Sequence, residues 1–177
     1  MEEDTHTLIE TLLQEFRPVI GRDYAKYRNH VYRVFLNCRL IDTTPQNEDK
    51  YAIAAVFHDI GIWTHHTFDY LPPSVEQARR YLSETGQEHL SEEIKQMINW
   101  HHKVSAYKGN YATTVETFRR ADWIDVSLGL LTYKINKEAI KTYKRQFPTL
   151  GFHLFLVKAT VKNFFRHPSN PLPMFRK

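Results

Sequence analysis

The sequence predicts an all-α fold, a single compact bundle of about seven to eight helices, and three observations carry that reading. Apolar residues recur at the helical spacing of three and four almost throughout the chain. Only six glycines occur in 177 residues, too few for an architecture of strands and tight turns. With 42% hydrophobic and 25% charged residues the chain has a globular composition, and its 14% aromatic content predicts a core rich in Phe, Tyr and Trp.

The elements follow in order. Leu8, Leu12, Leu13 and Phe16 mark a first helix that Pro18 is expected to stop. Gly21 precedes a longer helix reaching about Leu40, with Tyr24, Tyr27, Val31, Val34, Phe35 and Cys38 on its inner stripe. Residues 43–47 read as a turn in which Asn47 is the N-cap and Glu48 and Asp49 complement the helix dipole. The segment from Tyr51 to Phe57 is apolar on nearly every face, which predicts a buried central helix. Its C-terminal end delivers His58 and Asp59, with Gly61 at the C′ position. Residues 62–73 read as a loop closed by a Pro72-Pro73 stop, and Ser74 as the cap of the next helix, with Gln77 as its reciprocal partner. That helix bears Val75, Ala78, Tyr81 and Leu82 and ends near Gly86. Another opens at Ser91, carries Ile94, Met97 and Ile98, and runs into His101 and His102. A further helix follows Thr113 and Thr114, bearing Val115, Phe118, Ala121, Asp122 and Leu128. Two basic helices are expected at about 136–145 and 152–165, followed by an extended tail containing Pro168, Pro171 and Pro173. No repeat or linker interrupts the pattern. Residues 1–177 are therefore expected to form one domain, with a basic helical extension at about 134–167.

Charge and cysteine usage narrow the function classes. The net charge of +4 is uneven: residues 134–177 hold ten Lys/Arg against Glu138 alone, +9, leaving the first 133 residues at −5. Such a basic third attracts phosphates or nucleic acid. Nucleic acid is not favoured, because no aromatic stacking platform accompanies the charge. The single cysteine, Cys38, lies in an apolar stripe and reads as a buried thiol in a reducing compartment. The acidic start, Met1-Glu2-Glu3-Asp4, lacks the apolar run of a signal peptide, and no stretch approaches a membrane span. A cytoplasmic protein without membrane contact is expected.

The chemistry-bearing pattern is His30, the adjacent pair His58-Asp59, and Asp122. Two imidazoles and two carboxylates delivered by separate helices suit a divalent transition metal with positions left open for water or substrate. His30 lies three after Tyr27 and four before Val34, at the edge of the core stripe. Asp122 follows Phe118 by four and shares its inward face, with Asp125 one turn further on, on the same side, available behind the ligands or as an alternative ligand. His58 and Asp59 project about 100° apart, so both reach one ion only near the helix end, where the partial negative charge favours a cation.

The stretches Asn29-His30-Val31-Tyr32-Arg33-Val34, Ala55-Val56-Phe57-His58-Asp59-Ile60-Gly61, Ile98-Asn99-Trp100-His101-His102 and Arg120-Ala121-Asp122-Trp123-Ile124-Asp125 together resemble the HD-domain superfamily of metal-dependent phosphohydrolases. The resemblance covers about residues 20–130, including the 28-residue step from His30 to His58 and the 63-residue step from Asp59 to Asp122. It implies an all-helical HD-type bundle and hydrolysis of phosphate esters, often of nucleotides. By position it implies His30, His58, Asp59 and Asp122 as metal ligands. In binuclear members of the superfamily further histidines hold a second metal. Here His101, His102 and the loop residues His65, His66 and Asp69 are available for that, or for substrate. No histidine stands near position 80, where binuclear branches and di-iron oxygenases usually place one, so one metal per chain is favoured.

A phosphohydrolase using metal-activated water is thus the leading reading, acting on a nucleotide or another small phosphate ester. The ion is divalent: Mn, Co, Ni, Mg, Zn or Fe. Asp59 is expected at the reacting centre as well as on the metal. Arg33, Lys103 and Arg119 or Arg120 are candidates to offset transition-state charge. Asp125, Asp69 or His101 are candidates for general base or acid. Trp63, Tyr70, Trp100 and Tyr107 are candidate pocket walls. The alternative from a different class is a non-catalytic nucleotide- or RNA-binding module using the basic C-terminal helices. A di-iron oxygenase is the more distant third.

Overall fold

The structure is a computed structural model that describes residues 2–166. Among the described residues it contains nine α-helices and no strand: α1 (Glu2–Ile20), α2 (Tyr24–Ile41), α3 (Glu48–Phe57), α4 (Gly61–Thr64), α5 (Leu71–Glu84), α6 (Ser91–Trp100), α7 (Ala112–Val126), α8 (Lys137–Gln146) and α9 (Phe152–Arg166). The all-α bundle is as the periodicity predicts, and the helix beyond the expected count is α4, a single turn. The expected tail prolines lie outside the described residues.

Two helices form the centre. α3 is buried from Tyr51 to Phe57 without a break and packs against α1, α2, α5, α6 and α7. α2 is buried over most of Tyr27–Cys38, because α1, α3, α7, α8 and α9 all pack on it. His30 is therefore fully buried rather than at the edge of the core. The amide groups this places inside α2 donate to backbone oxygens, Asn29 Nδ2 to Pro148 O at 2.7 Å and Asn37 Nδ2 to Ala121 O at 3.2 Å, while Asn37 Oδ1 is buried without a partner. The largest fully buried side chains include Tyr27, Phe35, Tyr51, Phe57, Phe118 and Phe152, the aromatic core the composition predicts. Cys38 is a free, buried thiol, and burial pushes its pKa well above the ordinary range.

Several boundaries differ from expectation for identifiable reasons. Pro18 lies inside α1, which continues to Ile20. The missing N–H falls in the last turn, where it removes one hydrogen bond, and buried Ile20 anchors the end. The chain then breaks at Gly21 with φ +58°, a conformation that favours glycine. Asn47 makes no cap hydrogen bond, since its side chain donates to Asp42 and accepts from Lys50. Pro72 and Pro73 sit in the first turn of α5 and start it, where a missing N–H loses nothing. Ser74 is therefore inside that helix, not its cap. Its Oγ accepts a hydrogen bond from Gly61 N at 3.0 Å. α7 ends at Val126, so Leu128, with φ +58°, falls outside it.

Gly61 does not cap α3. It opens α4, and its reason is a close approach: an added Cβ would stand 2.3 Å from Tyr70 O and 2.9 Å from Pro73 Cγ. This contact clamps the turn carrying His58 and Asp59 onto the start of α5. Gly61→Ala is expected to destabilise the fold by about 1–3 kcal/mol, the usual penalty of overpacking, measurable by urea unfolding.

A second tie fixes α2 against α3. The Asp42 carboxylate accepts hydrogen bonds from Tyr51 OH (2.5 Å), Asn47 Nδ2 (2.8 Å) and Thr44 N (3.0 Å). Burial raises its pKa, but these donors outweigh burial and pull it down from 3.8 to about 2. A carboxyl depressed in the folded state stabilises fully above its unfolded pKa of ~3.9 and loses that contribution as pH falls towards the folded value. The stability difference between the native chain and Asp42→Asn should therefore be constant from pH 7 to 5 and shrink between pH 4 and 2.

Candidate metal centre

Four helices converge on one buried point. α2 supplies His30, the end of α3 supplies His58 and then Asp59, the end of α6 supplies His101 and then His102, and α7 supplies Asp122 and, nearly one turn on, Asp125. His30 Nε2 and His58 Nε2 are 3.0 Å apart. Asp59 Oδ2 is 3.7 Å from His30 Nε2 and 3.5 Å from His58 Nε2. Asp122 Oδ1 is 3.6 Å and 3.8 Å from the same two atoms. These are the spacings expected of atoms sharing one ion at ~2.1 Å. Two helix C-termini also point here, and their partial negative charge favours a cation.

The hydrogen bonds set the imidazoles as ligands. His58 Nδ1 donates to Ala55 O at 2.8 Å and His101 Nδ1 to Ile98 O at 2.6 Å, which turns both Nε2 atoms into the cluster, that of His58 as a lone pair. His30 Nδ1 meets Asp125 Oδ2 at 2.7 Å, a carboxylate orienting the ring from behind. The Nε2 lone pairs of His30 and His58 then face each other, an arrangement that only a cation or a proton makes favourable. Burial, aided by the charges of His101 and His30, pushes the His58 pKa down to about 3, so His58 does not hold that proton near neutral pH. Asp59 Oδ1 and His101 Nε2 are buried 3.5 Å apart without a hydrogen-bond partner. The donor set fits a divalent ion.

The carboxylates differ. Burial raises the pKa of Asp59, but His58, His101 and His30 together outweigh it and hold the group strongly acidic. Asp122 is pushed up to about 6, chiefly by burial, with Asp59 and Asp125 adding to it against the nearby imidazoles. His101 is raised: burial alone would lower it, and Asp59 and Asp122 reverse the sign.

The sequence pattern of the HD domain matches residues 27–127, more than half of the chain and all of these groups. The chain belongs to the HD-domain family. The family binds divalent metals, and its members are typically metal-dependent hydrolases. Neither a curated protein nor a solved structure matches the chain.

In this HD domain the predicted residues divide. His30, His58 and Asp59 form a trio with ligand atoms within 4.8 Å of one another, and Asp122 approaches both imidazoles of that trio without joining it. A second trio, Asp59, His101 and His102, also has ligand atoms within 4.8 Å of one another and shares Asp59 with the first. The loop residues are not brought in. His65, His66 and Asp69 are exposed, and none of them joins a metal-capable cluster among the described residues. The turn of α4 directs His65 onto Thr64 Oγ1 at 2.9 Å instead.

Arg33 and Asp125 do not face a substrate. Arg33 donates to Asp125 through Nε (2.5 Å) and Nη2 (2.9 Å) and to Phe147 O through Nη1 (2.9 Å). With His30 on one oxygen and Arg33 on both, Asp125 has no free edge for a proton. Burial raises its pKa, but the His30 and Arg33 hydrogen bonds hold it well below the carboxylate range. It is a positioning group rather than a base. Arg119 spends its guanidinium on Glu116 and Lys103 O, and Arg120 lies 3.5 Å from Glu116 and over the Tyr133 ring. Lys103 is half-buried on the turn after α6, and burial lowers its pKa.

A cavity of about 160 Å³ adjoins the centre and reaches Asp122 and His102. Of the wall residues expected, Tyr70 lines it, and its hydroxyl bonds His102 Nε2. Trp63 packs between Tyr27 and Phe155, and Trp100 pairs with Tyr107, so these three line no part of it. The other walls, Phe68, Trp123, Val126, Leu156 and Thr160, carry no sequence signal that marks them. Nor does Phe152, which stacks on His30 at 4.2 Å, or His153, whose Nε2 donates to Asp125 O at 2.9 Å.

Asp125→Asn keeps the size of the side chain but loses the charge that holds Arg33 and orients His30. Metal affinity, measured by competition with a chelating dye, should fall by about 10–100-fold.

Proposed function

We propose that the protein is a metal-dependent phosphohydrolase acting on a nucleotide or another small phosphate ester. The observation that carries this is the convergence of His30, His58, Asp59 and Asp122 beside a cavity that ends at Asp122. These four side chains would hold the ion. When bound there, a divalent ion supplies Lewis acidity and brings the pKa of a water near neutrality.

The chain's own groups do the rest. Asp59, strongly acidic, keeps full negative charge on the centre across the physiological range. Asp125 and Phe152 fix the His30 ring from two sides. His101 carries a raised pKa and points Nε2 at Asp59 Oδ1, which suits it to hold a proton inside the cluster. His102, kept neutral mainly by burial, and Tyr70 form a polar pair on the cavity wall, placed to hydrogen-bond a phosphate oxygen. The basic C-terminal third enters this reading too: α9 covers His30 and walls the cavity, which favours a role in the site over a separate binding module.

Incubation with Mn²⁺, Co²⁺, Ni²⁺, Mg²⁺, Zn²⁺ or Fe²⁺ and a panel of nucleotides and phosphate esters should give metal-dependent phosphate release. His58→Ala and Asp59→Ala should each reduce it by more than the ~10–100-fold typical of a residue behind the ligands. Release that survives both substitutions, or that needs no metal, refutes the proposal.

A further inference from the structure

The cavity beside the centre says what kind of molecule it accepts. Its described walls are chiefly apolar, Phe68, Trp123, Val126 and Leu156, with polar atoms supplied by Asp122, His102, Tyr70 and Thr160. Its volume, about 160 Å³, is close to the ~150 Å³ cavity that takes up one benzene ring. No Lys or Arg is among its described lining residues. The arginines near the ligands in sequence face acids of their own: Arg28 is bound to Glu10, Arg33 to Asp125 and Arg119 to Glu116, and Arg120 lies 3.5 Å from Glu116.

Each fact excludes a class of substrate. A di- or triphosphate brings several negative charges beside Asp59 and Asp122, and the described walls offer no side-chain cation to balance them. A ribose or another polyol carries more hydroxyls than the few polar atoms of these walls, chiefly Trp123 Nε1, Tyr70 OH and the Thr160 hydroxyl, can pair, and each group left unpaired against Phe68, Val126 or Leu156 costs binding. A nucleoside is also larger than the space. What fills the space is one phosphate beside Asp122 and an apolar body of about one ring.

We infer that the substrate is a phosphomonoester of an apolar alcohol, aromatic or short-chain alkyl, whose body sits between Trp123 and Leu156. The inference rests on the phosphohydrolase reading and narrows it. The reaction balances as a hydrolysis: the oxygen of water bonds to phosphorus, the bond from phosphorus to the alcohol oxygen breaks, and a proton from water leaves with the alcohol.

The test uses phosphonates, which keep the head group and resist hydrolysis, with the full-length Mn²⁺-loaded protein in a calorimeter. Affinity is expected to rise roughly three- to fourfold per methylene from methyl- to butylphosphonate, and phenylphosphonate should bind at least about 30-fold tighter than methylphosphonate. Leu156→Phe and, as an independent variant, Val126→Phe fill the space and should abolish that gain while methylphosphonate affinity stays the same. Metal-dependent binding of methylphosphonate with no gain along the series, or tighter binding of a nucleoside phosphonate than of phenylphosphonate, overturns the inference and leaves the phosphohydrolase reading standing. Binding of benzyl alcohol with no binding of any phosphonate supports the apolar seat and overturns the phosphohydrolase reading. Binding of no probe overturns both.

Discussion

The buried carboxylate of Asp125 is the tie on which the rest depends. It joins His30 and Arg33 of α2 to α7, and through Arg33 it reaches Phe147 O at the end of α8. Its backbone oxygen accepts from His153, so α9 is held at the same place. Burying such a set is expensive, and it is tolerable only because every polar edge is met. Removing one member leaves an uncompensated charge in a dry interior, an effect of about 3–5 kcal/mol. The same tie that organises four helices also sets the tautomer and direction of a ligand ring. Stability and site geometry therefore share one network, and substitutions within it will not act additively.

Electrostatics gives the centre its character. Two acids and three imidazoles are buried together with two helix C-termini aimed at them. Burial raises Asp122 to about 6 and lowers His58 to about 3, while the surrounding imidazoles keep Asp59 ionised against it. A cluster with excess negative charge and inward-facing lone pairs is stabilised by positive charge. The nearest arginines cannot supply it, because their own acids hold them. The surroundings thus reserve the interior for a cation that is not a side chain.

Much of this was legible in the sequence, and what was not has a common cause. The helices follow from periodicity, and the four converging residues from type and spacing. Arg33 and Asp125 were visible as charged residues on inward faces, but their partners, 92 residues apart, were not. The pattern alone suits Arg33 to substrate charge and leaves Asp125 between an acid or base and a place on or behind the metal ligands; in the fold the two satisfy each other. Gly61 was read by a local rule, as the end of a helix, while its reason is the carbonyl of Tyr70 pressed against it. The proline pair was read as a stop where it is a start, because proline suits the first turn of one helix as well as the residues beyond another. The cavity walls come from Phe68, Trp123 and Leu156 on separate elements, and nothing local to any of them says that they meet. Local signals carried local structure; pairings across the bundle required the fold.

The position of α9 has a consequence in time. The residues that converge on the centre, with Asp125 behind them, are all present once the chain has reached residue 125. The ring that covers His30 is residue 152, and part of the cavity wall comes from residues 156 and 160. Synthesis runs from the N-terminus, so the ligands precede their cover by some thirty residues. During that interval the centre is open on the side that α9 later closes, and the apolar seat does not yet exist. The protein is thus able to gather its ligands before it becomes selective about what may lie beside them.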